Sequence, residues 1–371
     1  MAAGYKRLIH DRILNCRKGL VKNMKNKKRW LIISAALILT GLVVTGIGIV
    51  MGGVPGFSIG RGGQILTPAQ YVMHELEKTP LESFENLDAV MYFGDVEVIP
   101  SDGYYLEYRV CTDEQGPSYE IKNNTLTFLP QKSQGRNSVS FFFNTGWNHS
   151  SNHTGSDYVR IYLPEDVYLK MLDIRCGNGD VKVSSIQADT VSIETDFGDT
   201  VISDMKAGEA DVVCSNGRIE IDSVAYETLN VTDDFGNVSI SDAQGNETAV
   251  QMSNGGLTLK NIESTVLRTE LDFGNTAGSK LKIGELTHTG SNGNLELTEL
   301  DVRSLDISND FGNIDLALTE DEKEYGMDLS CDFGTVRLNG ADRSDSLEKE
   351  SAGVNKIQAR CSNGNITVIT K

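Results

Sequence analysis

The chain has 371 residues, with 34 Lys or Arg against 52 Asp or Glu, for a formal net charge of −18. Ten of those bases and a single acid, Asp11, fall in residues 1–30, so the rest of the chain is strongly acidic. That balance excludes nucleic acid as a partner, since phosphate binding needs a basic face. The six cysteines include no CxxC pair and point to neither a structural zinc site nor a disulfide framework.

Residues 1–30 read as a basic cytoplasmic head able to lie against anionic lipid. No charge occurs between Arg29 and Arg61. Within that stretch Leu31–Met51 would span ~30 Å as a helix, the thickness of a bilayer core. Residues 31–54 are therefore expected to form one transmembrane helix, with Trp30 at the interface and the lysines and arginines before it held inside. Gly52-Gly53-Val54-Pro55 is a poor cleavage site, so the expectation is a retained single-pass anchor with the lipid bilayer as its partner. Residues 55–80 read as a tether and a short helix near 68–78, with Thr67 as its N-cap and Pro68 as its first residue. His74-Glu75 falls there, but no second His follows four residues later, so a zinc-protease motif is absent.

Residues 81–371 form the ectodomain. Its first part has irregular strand signals at 104–110, 125–130 and 158–163, around a polar stretch at 131–157. That stretch nonetheless holds Phe141, Phe142, Phe143 and Trp147. Those aromatics either cap an open end or anchor a partner or sugar, because Trp dominates interface energetics. His149 and His153 in the same stretch have no Cys or carboxylate beside them to complete a metal site.

The strongest signal is a period. Gly179, Gly198, Gly217, Gly236, Gly255, Gly274, Gly293 and Gly312 recur with a constant 19-residue period, with relatives at Gly94, Gly334 and Gly364. Apolar residues stand two and four places after each glycine, as in Ile219/Ile221 and Leu295/Leu297, with a polar residue between them. Only the rungs of Gly198 and Gly274 depart from this. Such alternation marks a strand with one buried and one wet face. The same alternation appears five and seven places before the glycine, so the unit reads as strand, glycine turn, strand, connection. An antiparallel meander has no reason to hold every connection at one length, whereas stacked coils must. The fold predicted is an all-β parallel β-solenoid with 19-residue rungs about 4.8 Å apart, preceded by the transmembrane helix.

Turns alternate between Asp-Phe-Gly (196–198, 234–236, 272–274, 310–312, 332–334) and Asn-Gly forms (177–179, 215–217, 253–255, 291–293, 362–364). Strand parity places the Phe or Asn on the buried face with the residue two before it. Cys176, Cys214, Cys331 and Cys361, each three before a glycine, should share one interior column. Cys331 and Cys361 are one rung apart, so a bridge between them is conceivable, although free buried thiols fit better. Around residues 321–324 the glycine spacing lengthens by three, from 19 to 22, and 340–356 is a charged loop in the last coil. The atypical ends are expected to act as caps.

The run Val159–Asp166 (VRIYLPED), the following Leu169–Val183 and the series of x-G-[DN]-V-x-I turns resemble the DUF4097 family of candidate adhesins, over about Leu87–Lys371. The resemblance implies a bacterial β-solenoid at the cell surface, often behind one transmembrane helix. It supplies no catalytic residues. Neighbouring turn aspartates such as Asp196 and Asp234 would lie ~9.6 Å apart, too far to share a calcium ion. No P-loop, G-x-S-x-G or GGxGxD motif occurs, so no cofactor or metal is expected. The expected role is non-catalytic adhesion, envelope binding or envelope-stress sensing outside the membrane, with an envelope protein or glycan as partner. A carbohydrate-active β-helix enzyme and a purely structural spacer are the alternatives.

Overall fold

The computed structural model describes residues 56–59, 65–66, 72–112, 115–130, 139–142, 157–351 and 353–371. The basic head and the segment 31–54 lie outside them. Among the described residues no helix is long and apolar enough to cross a membrane. The chain divides into two compact units, one of Met1–Gln70 with Gln134–Ser151 and one of Tyr71–Ser133 with Asn152–Lys371. The first contains a three-stranded antiparallel sheet in which Gly56–Ile59 lies between Ile65–Leu66 and Val139–Phe142.

The second unit is the stack that the 19-residue period predicts. Seven consecutive strands of 17 residues, from Val181–Phe197 to Leu295–Phe311, pair in parallel. Between them every register partner lies one period further along the chain, as in Val181↔Thr200 and Thr200↔Ile219. The pairs two and four places after the glycine point inward and are buried throughout. In the two departing rungs the interior is kept by other means. Thr200 is buried and bonds Thr195 Oγ1 at 2.9 Å, while the leucines 281 and 297 fill the space that Gly278 leaves.

Two corners shape each rung. At the first, the glycines stack on one another. A Cβ added to Gly236 would overlap the carbonyl oxygen of Gly217, and one added to Gly255 would overlap that of Gly236. Gly255 also takes a φ of +140°, which side chains disfavour. The second corner carries no glycine. Six places after each glycine, Ser185, Asp204, Ser223, Asp242, Asn261, Lys280 and Glu299 adopt φ between 50° and 58°. Short polar side chains tolerate this left-handed conformation best, and the first five of these seven are Ser, Asp or Asn. The connection expected between units is thus a bend within a continuous strand. Beyond it, size is matched between rungs: Gly245 is the register partner of Tyr226, and the Tyr226 ring occupies the space of the missing Cβ. The phenol bonds Thr248 Oγ1 at 2.7 Å.

The ends depart from chain order. Strands Asn86–Met91 and Asp95–Ser101 form the rung of Gly94, which stacks directly on that of Gly179 although a long excursion of the chain separates the two glycines. Thr125–Leu129 and Tyr158–Pro164 add below it in parallel. Antiparallel strands then close the end: Tyr105–Thr112 on Tyr158–Pro164, Val72–Pro80 on Tyr105–Thr112, and Ser118–Lys122 on Thr125–Leu129. Val72–Pro80 corrects the helix expected near 68–78. The exposed hydrogen-bonding edge of Tyr105–Thr112 recruits this segment as a strand, and edge pairing outweighs a local Thr-Pro helix signal.

At the other end, the chain's last strands insert inside the stack. Asn355–Asn363 lies between Leu295–Phe311 and Tyr325–Phe333, so the spatial order of glycines is Gly312, Gly364, Gly334. The charged loop at 340–356 supplies the antiparallel strands Ala341–Asp342 and Ser346–Lys349 that cover the outermost rung. Both ends therefore turn an open parallel edge into an antiparallel one, which blocks further stacking.

Replacing Gly236 by Val should strain not one turn but the stack on both sides of it. Hydrogen exchange should then show lost protection near Gly217 and Gly255 as well as at the substituted rung. Loss confined to the strands flanking residue 236 would contradict the parallel register.

Candidate functional site

The glycine corner is also where the surface is most regular. Beside most of the glycines stands an Asn or Asp, one place later in sequence, whose side-chain oxygen accepts the backbone N–H of the next rung; Arg218, Gly256 and Thr335 interrupt this ladder. Asp180 Oδ1 accepts from Asp199 N at 3.0 Å, Asn275 Oδ1 from Asn294 N at 2.8 Å, and Asn313 Oδ1 from Asn365 N at 3.0 Å. On the inner side, cysteine and asparagine members of the column three before the glycine donate to glycine carbonyls of the preceding rung. The Cys214 thiol reaches Gly198 O at 3.6 Å, Asn309 Nδ2 reaches Gly293 O at 3.0 Å, and the Cys361 thiol reaches Gly312 O at 3.3 Å.

The four cysteines do share that interior column and are free thiols. Cys331 and Cys361 are register partners on adjacent strands. Burial pushes the Cys176 thiol to about 12 and those of Cys214 and Cys361 to about 11, so all three stay protonated and act as packing groups and weak donors.

Asp233 occupies the same column, fully buried, with no hydrogen-bond partner on either carboxylate oxygen. Only its protonated form can do what Cys214 beside it does, which is to donate a hydrogen. Burial, reinforced by the charge of Asp234, accordingly raises it to about 7. His288, five places before its glycine, is buried against Thr269 Oγ1 at 2.7 Å, and burial lowers it to about 4. The two have opposite consequences. Between its ordinary 3.8 and about 7, Asp233 binds more proton in the native state, so its contribution to stability is lost as pH rises through that window. His288 binds less proton in the native state between about 4 and 6.5, so its contribution is lost as pH falls through that range.

The phenylalanines of the Asp-Phe-Gly turns do not follow strand parity. Phe197, Phe235, Phe273, Phe311 and Phe333 are 53–73% exposed, against the buried placement expected for them. The reason is a break in the ladder: Thr195↔Cys214 and Phe197↔Asn216 are paired, but the residues between them, Asp196 and Ser215, are not. That irregularity reverses the side-chain alternation just before the turn. One outward column results, in which Phe and Asn alternate rung by rung through Phe197, Asn216, Phe235, Asn254, Phe273, Asn292 and Phe311. The inserted last rung preserves the alternation, because Asn363 pairs with Phe311 on one side and Phe333 on the other. Each of these phenylalanines follows an exposed aspartate, Asp196, Asp234, Asp272, Asp310 or Asp332. The residues that sequence reasoning assigned to the turn are here, with their aromatic members turned outward.

The other aromatic candidate is only partly described. Phe141 and Phe142 belong to the strand paired with Gly56–Ile59, while Phe143 and Trp147 lie outside the described residues, as do His149 and His153. At the N-terminal end of the stack, a shallow groove of about 390 Å³ is bordered by Lys78, Glu107, Arg109 and Tyr158. Most of its polar groups pair with one another. Glu107 accepts from Tyr158 at 2.9 Å, Tyr162 at 2.7 Å and Arg160 at 3.3 Å, and Lys78 sits over the Tyr105 and Tyr162 rings. Burial works to raise Glu107, but the two phenols and Arg160 hold it below the usual carboxylate range. The network clamps the cap strands together. Among the described residues, no three His, Cys, Asp or Glu side chains converge to hold a metal ion.

A parallel β-solenoid with an outward Asp-Phe corner column is thus the class of protein that fold and surface define. The chain belongs to the Toastrack DUF4097 family, whose profile matches it twice, over residues 93–261 and 212–369. Solved structures similar to it include a candidate adhesin of Bacteroides fragilis, 13% identical with a TM-score of 0.32, and a candidate lipid-binding protein of Parabacteroides distasonis, 13% identical with a TM-score of 0.37. Both alignments cover 81% of this chain and 97% of the other. A candidate cell-adhesion protein of Clostridium sporogenes aligns over 81% of this chain and all of its own length, at 12% identity and a TM-score of 0.18. No curated protein matches the chain.

Replacing Asp233 with Asn supplies a neutral donor at every pH. The variant should melt higher than the parent at pH 8, by about 2–4 °C for each kcal/mol recovered, and, with His288 alone left titrating, should gain stability from about pH 4 to 6.5 where the parent stays nearly level. Calorimetry across that range checks it, and superimposable profiles would contradict the buried-acid account.

Proposed function

We propose that this protein is a non-catalytic, membrane-anchored binding module that presents its solenoid outside the cytoplasmic membrane to a component of the cell envelope. The observation that carries the reading is the Asp-Phe column: five exposed rings on one edge, one per pair of rungs, with an acid before each. Single exposed apolar residues are ordinary, but a straight series on a rigid scaffold is the kind of exposed apolar surface that partners use. The anchoring half rests on the charge-free segment 31–54 behind its ten basic residues. A catalytic role finds little support, since Asp233, His288, Tyr325 and the shifted thiols are interior, and Tyr162, the shifted group nearest the groove, is committed to Glu107. Adhesion and stress sensing both follow from binding an envelope component.

Two measurements test the halves separately. External protease on intact cells should digest the repeats and spare the basic head, and protection of the repeats would overturn the topology. Isolated cell envelopes should retain the detergent-solubilised full-length protein and lose about tenfold or more of that retention on Phe235→Ala with Phe273→Ala. Trp147→Ala serves as the comparison arm. If it alone abolishes retention, the ligand surface is the aromatic loop at 141–147 instead.

A further inference from the structure

We infer, building on the ligand-surface reading above, that the Asp-Phe column receives a basic segment of a partner polypeptide in the polyproline II conformation, one turn for each pair of rungs. The period selects the conformation. Rings on alternate rungs recur every ~9.6 Å. A polyproline II helix rises ~3.1 Å per residue with three residues per turn, so the same face returns every ~9.3 Å. Across the four steps from Phe197 to Phe333 in the stack, the two repeats drift apart by only ~1 Å.

Other extended or helical chains do not keep step. A β-strand turns every third side chain to the opposite face. An α-helix returns after two turns at ~10.8 Å and slips by ~1.2 Å at each ring. Chemistry agrees with the period. Asn at the intervening rungs is shorter than Phe, so the column is a comb of rings with notches between them. Prolines pack well against aromatic ridges of this kind and enter already ordered.

Charge selects the third residue of the repeat. An aspartate precedes every ring of the column. On the other side of the glycines the ladder adds Asp180 and Asp199, and its one base, Arg218, is paired with Asp199 at 3.0 Å. A partner carrying Lys or Arg at every third position meets one acid per turn. An acidic segment of the same shape is repelled.

The test uses the full-length protein in detergent micelles and fluorescence anisotropy of labelled synthetic peptides. (Pro-Pro-Lys)6 should bind saturably. (Pro-Pro-Glu)6 should not bind, and a peptide with Lys at every fourth position, (Pro-Pro-Pro-Lys)5, should bind at least tenfold more weakly. Phe235→Ser with Phe273→Ser should weaken (Pro-Pro-Lys)6 by about tenfold or more. If that variant unfolds, Asp234→Asn with Asp272→Asn, at exposed positions, should lower affinity and flatten its salt dependence. Equal binding of the three- and four-residue repeats, unaffected by the Phe variant, would reduce the effect to general charge attraction and overturn the inference. A chitosan hexamer that binds in a Phe-dependent way while (Pro-Pro-Lys)6 does not would also overturn it, yet leave the column a ligand surface. If neither probe binds and the Phe variant changes only the melting temperature, the inference falls, and envelope retention of the same variant decides the ligand-surface reading separately.

Discussion

The structure depends on the contact of glycine upon glycine at one corner of every rung. With no Cβ there, the carbonyl oxygen of one rung takes the space a side chain would fill on the next. That close approach fixes where each coil begins relative to its neighbour, and the same period follows for every other column. Columns then become chemical units. Donors in the interior column meet glycine carbonyls, amide and carboxylate oxygens outside meet backbone N–H groups, and Phe alternates with Asn. A substitution is felt along its column rather than along its strand, as expected where each repeat touches only its neighbours.

Much of this was legible in the sequence because period and parity are strict. The parallel stack, the paired apolar residues after each glycine and the shared interior column of cysteines were all readable from spacing. Three features were not. The outward Phe column escaped because the unpaired residues Asp196 and Ser215 reverse parity one residue before the turn, and a break shared by every rung leaves no mark on an alternating pattern. The second corner escaped because its left-handed residues range from Ser to Lys, and nothing but their own 19-residue spacing marks them. The order Gly312, Gly364, Gly334 escaped because both late rungs suit either place; only tertiary pairing decides which lies inside. At the other end, Val72–Pro80 carried a local helix-start signal that edge pairing overrode.

The interior is not purely apolar, and the exceptions are ordered. Asp233 and His288 sit three rungs apart in different columns and titrate in opposite senses over overlapping ranges of pH. Their effects on stability offset each other between about pH 4 and 6.5, which leaves Asp233 to dominate from there to about 7. The exposed surface, by contrast, carries its chemistry in a repeating form. A recognition surface built from a period reads the period of its ligand as well as its groups, and a short recurring motif can specify an extended partner.

The central claim is that each 19-residue turn of the solenoid advances by one strand spacing, so that the Phe rings form a single evenly spaced column. Spin labels at Phe197→Cys and Phe311→Cys, with Cys16 and Cys111 replaced by Ser, test it by pulsed dipolar spectroscopy. Six rungs separate the two sites, and the parallel stack predicts about 29 Å between them. A meander in which each 19-residue unit contributed two antiparallel strands would double that to about 58 Å, and a distance near the larger value would contradict the account.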